Sequence, residues 1–233
     1  MSPTSAGLRL YVLRHGEPER RDLFYGHYDI ALSARGLEQA RAQAECIGDI
    51  PFVSIHASDS QRATIGAGLV AQRRGLDVEI DPRLREMSLG ALECMPHAEA
   101  MVRYPQWAGR SYLDMLDARM PDGGESVRDL DLRVFEAVET IARPRVGPKV
   151  EGRWPTVLIY AHNTVARVML ARAAGAGVAG YRHFSQRYGA INRIDVPALQ
   201  EPGAGTNEAC LDWSRAEIGY ANRDPMAPRD RGR

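Results

Sequence analysis

The chain has 233 residues, 44% of them hydrophobic and 26% charged, which is ordinary for a globular protein and long enough to bury a large core. Thirty basic residues balance 30 acidic ones, so no overall field draws the chain to nucleic acid or to an anionic membrane. Any anionic ligand must therefore be met by a local cluster of cations. Three cysteines are scattered without a C-x-x-C pair, which argues against a disulfide framework or a zinc site. No apolar run of membrane-spanning length occurs and no signal-peptide pattern opens the chain, so a cytoplasmic protein is expected.

In chain order, L-R-L-Y-V-L at residues 8–13 reads as a strand that ends abruptly at Arg14-His15-Gly16. Ser33 is a helix N-cap, and Leu37, Ala40, Ala44 and Ile47 share one face of the helix it opens. Residues 52–57 form a second strand ending at Ser58-Asp59-Ser60, a small-residue helix covers 62–73, and 77–80 form a short strand. Residues 83–124 are irregular and broken by Pro96, Pro105 and Pro121; within them, 94–122 are expected to be an inserted lid. Residues 126–141 form an amphipathic helix with Val127, Leu130, Val134, Ala137, Val138 and Ile141 inward. T-V-L-I-Y-A at 156–161 is a fully buried strand, followed by His162 and an apolar helix, and 190–196 are a last strand. The expectation is one domain over residues 1–221, an α/β fold with a mostly parallel sheet in three α/β/α layers, and a disordered tail over 222–233.

In such sheets, ligand sites lie beyond the carboxyl ends of the strands. Three strands here end in reactive groups: Arg14-His15, Ser58 through Arg62, and His162. Arg14 and Arg62 offer permanently charged forks that suit phosphate oxygens, and His15 can attack phosphorus through a neutral ring nitrogen. The helix after His162 offers backbone N–H groups near Asn163 and Thr164 to an anion. Gly16 is expected to leave room for the phosphate.

The order of motifs resembles the histidine phosphatase superfamily, also called the phosphoglycerate mutase-like family. L-R-H-G-E at 13–17 is similar to its signature, and Y-G-H-Y-D-I-A-L-S-A-R-G-L-E-Q-A at 25–40 to its second segment. S-D-S-Q-R-A at 58–63, L-R-E-M-S-L-G-A-L-E at 84–93, G-E-S at 124–126 and V-L-I-Y-A-H-N at 157–163 come next, in the family's order. The resemblance implies His15 as nucleophile, Glu86 as proton donor, and Arg14, Arg62 and His162 as the catalytic phosphate clamp, with Asn163 also around the phosphate and with no cofactor and no metal. Glu93 and Glu125 lie in neighbouring motifs and stay open as proton donors. Glu17, Tyr25 and His27 are candidates for the substrate mouth; Arg20 and Arg21 fit either that role or a solvated loop. His56, His97 and His183 default to structural or exposed roles.

The chain departs from the family pattern at Pro18, Cys94 and Asn163, and at Asp59, whose charge lies close to Arg62 in sequence. The implied function is hydrolysis of a small phosphomonoester through a phosphohistidine. A mutase is the alternative, disfavoured because the family's mutases carry E-R-H-Y-G where this chain has E-M-S-L-G at 86–90. A non-catalytic phosphate-binding scaffold is the remaining reading. The expected partner is a small phosphorylated substrate, with neither nucleic acid nor membrane; the substrate's identity and the oligomeric state are not legible at this level.

Overall fold

The computed structural model describes residues 6–108, 115–199 and 210–227. The elements run β1 (Gly7–Arg14), α1 (Ala34–Cys46), β2 (Phe52–Ala57), α2 (Gln61–Arg74), β3 (Val78–Ile80), α3 (His97–Arg103), α4 (Pro105–Ala108), α5 (Val127–Ala142), β4 (Thr156–Ala161), α6 (Asn163–Ala173), β5 (Ile191–Pro197) and β6 (Glu217–Arg223). They form one six-stranded sheet in the order β3-β2-β4-β1-β5-β6. The first four of these run parallel, whereas β5 is antiparallel to both β1 and β6.

Alternation along the strands builds two cores. Leu8, Leu10, Val12, Val157 and Ile159 face α5 and α6, while Tyr11, Leu13, Leu158 and Tyr160 face α1 and α2. The sheet is thus covered on both faces, as three layers require. Arg9, the one charge before the end of β1, stands opposite Asp195 of β5 and donates to both of its carboxylate oxygens at 2.6 and 2.9 Å. Local signals set the helix starts. The Ser33 hydroxyl accepts from the Gly36 amide at 3.0 Å, and Ser126 with Asp129 closes a capping box at α5.

Two boundaries differ from the sequence-based expectation. β6 is an unforeseen strand, and it carries the fold past residue 222: Arg223 pairs with Ile191, and the Asn222 amide donates to Asn192 Oδ1 at 2.7 Å. Its alternating, half-covered face is that of an edge strand, with too few apolar residues to announce itself. The tail beyond residue 227 and lid residues 109–114 lie outside the described residues. The rest of the 94–122 insert contains α3 and α4, and α3 flanks a cleft at the carboxyl edge of the sheet. No helix among the described residues is long and apolar enough to cross a membrane.

Close packing ties α2 to the sheet through Gly66. A Cβ there would come within 2.0 Å of the Tyr160 hydroxyl, which is itself fully buried and donates to the Gln43 side-chain oxygen. Gly66→Ala is expected to cost about 1–3 kcal/mol, as overpacking of a filled core does; urea denaturation measures it.

Candidate active site

The carboxyl ends of β1 and β4 open on one cleft of about 410 Å³, lined by Arg14, His15, Tyr25, Glu86, Asn163 and Tyr188, among other residues; Arg62, from the helix after β2, and His162 are buried and lie outside that lining. His15 comes directly after β1, and its amide donates to the Ala161 carbonyl at the end of β4. This backbone bond brings the two histidine-bearing strand ends together: the His15 and His162 rings have centroids 5.2 Å apart. Residues separated by most of the chain thus share one rim.

The protonation of His15 is set by its neighbour. Its Nδ1 lies 2.7 Å from the Gly16 carbonyl oxygen, which can only accept, so Nδ1 carries the proton and Nε2 keeps its lone pair. Burial first, then the Arg62 and Arg14 charges, hold His15 well below the usual histidine pKa. His162 is lowered for the same reasons, burial ahead of Arg62, and neither of its ring nitrogens has a hydrogen-bond partner. Both rings are neutral at pH 7.

Arg62 reaches this space from the first turn of α2 and is completely buried. It donates to the Gly26 and Tyr28 carbonyls at 2.6 and 2.9 Å, and half-exposed Asp29 stands 3.5 Å away. Its Nε has no partner. Arg14 donates to the Gln186 carbonyl at 2.5 Å and lies over the Tyr188 ring, 4.0 Å from its centroid. Arg14 thus lines the cleft, while buried Arg62 lies over the ring of the cleft residue Tyr25, 5.4 Å from its centroid.

The three candidate carboxylates separate cleanly. Glu86 alone of the three lines the cleft; it accepts from the Met87 amide at 2.8 Å and from the Thr164 amide, at the start of α6, at 3.1 Å. Glu93 instead accepts from the Gly26, His27, Tyr28 and Leu89 amides at 2.8–2.9 Å, and so fixes the loop whose carbonyls hold Arg62. Glu125 forms a two-pronged pair with Arg133 at 2.6 and 2.7 Å, and Arg133 in turn donates to the Glu86 carbonyl at 2.8 Å. Glu93 and Glu125 are braces. One of the helix N–H groups expected to face an anion, that of Thr164, faces Glu86.

Of the mouth candidates, Tyr25 lines the cleft and its hydroxyl meets that of Tyr188 at 2.8 Å. Burial and Tyr188 push its pKa up, so it stays a hydrogen-bond donor. Glu17 and His27 do not line it. The Glu17 carboxylate turns to Ser33 and Arg21, at 3.3 and 3.4 Å, beside the start of α1, and the His27 ring stands 4.0 Å from Glu125. Arg20 pairs with Asp22 in solvent, while Arg21 reaches the cleft rim.

His97 is exposed, as expected, and it also lines the cleft from α3, packing on Phe24 with centroids 4.5 Å apart. Asp59 is paired with Arg85 (Nε to Oδ1, 2.7 Å), so its charge is neutralised away from Arg62. Gly16 is also required for packing: a Cβ there would lie 2.2 Å from the Gly36 carbonyl oxygen of α1. Tyr188 and Gln186 carry no motif that singles them out in the sequence. The only local signal is the position of Tyr188 just before Gly189, whose positive φ of 71° turns the chain so that its amide donates to the His15 carbonyl at 3.0 Å.

Residues 10–200 match the model of the histidine phosphatase superfamily (branch 1). A probable phosphoglycerate mutase of Enterobacter sp. (strain 638) is 32% identical over 194 residues, covering 81% of this chain and 85% of that protein. The adenosylcobalamin/alpha-ribazole phosphatase of Escherichia coli (strain K12) is 28% identical over 195 residues, covering 81% and 90%. Among solved structures, a mycobacterial glucosyl-3-phosphoglycerate phosphatase superposes with a TM-score of 0.75 at 27% identity, covering 93% of this chain and 99% of that one. This chain belongs to the histidine phosphatase superfamily, and its class is that of a phosphatase enzyme.

The neutral histidines set an acid limit to stability. Folding holds both pKa values below the 6.5 of the unfolded chain, so their contribution is complete above pH 6.5 and is lost as pH falls toward the folded values. Each ring is expected to remove up to about 1.4 kcal/mol per pH unit below that point. Urea midpoints measured from pH 7.5 to 5 should fall accordingly, and His162→Asn should flatten the slope. In a second test, Glu93→Ala leaves four amides without their acceptor. It is expected to cost about 2–3 kcal/mol and to weaken competitive inhibition by inorganic phosphate through release of the loop that holds Arg62.

Proposed function

We propose that this protein is a metal-independent phosphomonoesterase that hydrolyses a small phosphorylated metabolite through a phosphohistidine at His15. The observation that carries this reading is the buried, neutral His15 ring, with Nε2 unoccupied and Arg14, Arg62 and His162 around it. The guanidinium forks and the Asn163 side chain hold the equatorial oxygens of the phosphoryl group. Nε2 attacks phosphorus, the N–P bond forms and the ester P–O bond breaks, and Glu86 gives its proton to the departing oxygen. Glu86, now a carboxylate, then takes a proton from water as that water attacks phosphorus; the N–P bond breaks and inorganic phosphate leaves. His162 stays neutral and donates to a phosphate oxygen.

A second reading is favoured by the relative named a probable phosphoglycerate mutase: the phosphoryl group returns to a bound hydroxyl instead of passing to water. The two readings share every step up to the phosphoenzyme. The phosphatase names among the relatives and the solved neighbours support water as the acceptor. The balanced charge and dispersed cysteines fit a cytoplasmic enzyme acting on a free metabolite, not on nucleic acid or membrane.

Acid-labile phosphorylation is expected in the wild type and absent from His15→Ala, whose kcat should fall by roughly 10³-fold or more. Glu86→Gln should lower kcat by about 10²–10⁴-fold on alkyl phosphates, and by less on 4-nitrophenyl phosphate, since nitrophenolate departs without a proton. Phosphate release should persist in EDTA. Conversion of 3-phosphoglycerate to 2-phosphoglycerate without phosphate release would instead establish the mutase.

A further inference from the structure

Beyond the cationic floor the cleft changes character. Phe24 and His97 stand edge to face, at 4.5 Å and 63°, and Leu89 and Met101 extend the same wall. Met101 projects from α3 at the cleft and is half exposed, so its flexible thioether is open to an apolar group of a ligand. The cleft volume, about 410 Å³, lies in the range that holds a ligand much larger than a phosphate group.

Among the described residues, the permanently charged cations lining this cleft are Arg14 and Arg21. Arg14 is engaged with the Gln186 carbonyl and the Tyr188 ring and faces the phosphate position. Arg21 sits at the rim with its side chain 68% exposed and Glu17 at 3.4 Å, so it offers only a screened charge. Glu86 adds a carboxylate to the same lining. An alcohol portion bearing its own carboxylate would lose hydration here without gaining a buried partner. A flat apolar portion would displace water from two rings and a flexible thioether.

Resting on the phosphatase reading, we infer that the site takes phosphomonoesters whose alcohol portion carries a ring and no second acidic group, with Phe24, His97 and Met101 as the wall that selects it. Small carboxylated phosphates are poor substrates.

The test compares ethyl phosphate, 2-phenylethyl phosphate and 3-phosphoglycerate, whose alkyl-oxygen leaving groups keep intrinsic reactivity similar. The expected kcat/KM for 2-phenylethyl phosphate exceeds that for ethyl phosphate by about tenfold or more and that for 3-phosphoglycerate by about 100-fold. Met101→Ser, at a half-exposed helix position that does not threaten folding, should cut the phenylethyl-to-ethyl ratio about threefold or more. Phe24→Ala should do so further. A phenylethyl-to-ethyl ratio near one, a ratio unmoved in Met101→Ser, or 3-phosphoglycerate as the best of the three overturns the inference while leaving the phosphohistidine chemistry intact. Failure to release phosphate from all three, together with no acid-labile phosphate on His15, overturns the phosphatase reading and this inference with it.

Discussion

The site depends on the forced proximity of like charge. Arg14 and Arg62 cannot release their protons, and both lie close enough to the His15 and His162 rings for their charges to act on them. The arrangement is tolerable because the rings give way: burial and the guanidinium charges together keep both imidazoles neutral. The same repulsion leaves a lone pair on His15 Nε2 and, on the proposed reading, draws a phosphate dianion. Stability and function are opposed here, and the fold supplies the difference.

That supply is backbone geometry more than ionic pairing. Arg62 is held by two carbonyl oxygens and Arg14 by one, which fixes their forks without cancelling their charge. Behind them lies a ring of polar braces. Glu93 collects four amides to shape the loop that holds Arg62, and Glu125 locks Arg133 beneath the segment carrying Glu86. Gln43, wholly buried, donates to the carbonyls of Arg14 and Ala190 and accepts from Tyr160. Among the described residues, Asp29 alone of the nearby carboxylates stands within ion-pair distance of Arg62, at 3.5 Å and half exposed, while Glu93, Glu125 and Gln43 are turned toward main chain or another partner.

Much of this architecture is legible in the sequence, for identifiable reasons. Apolar runs at β1 and β4, period-3.6 spacing in α5 and the serine caps at residues 33 and 126 are local signals, and each matches an element within a residue or two. β6 escapes a sequence reading because an edge strand needs few apolar residues. The turn carrying Gln186 and Tyr188 escapes it because its partners, Arg14 and Tyr25, lie more than 160 residues away. His97 looks unremarkable because one imidazole in a proline-broken stretch has no periodic face from which its direction could be read.

From the sequence alone come the family, the strand ends that bear Arg14, His15 and His162, and the position of Arg62 on the helix after β2, since ordered motifs and strand periodicity are properties of neighbours along the chain. The tertiary structure decided which of Glu86, Glu93 and Glu125 faces the cleft, that Glu17 and His27 do not, that Gly16 must be small to admit α1, and that β5 runs against its neighbours. Those outcomes rest on contacts between distant segments and on side-chain directions in irregular backbone. There, sequence spacing carries no angular information, and only packing chooses among chemically equivalent residues.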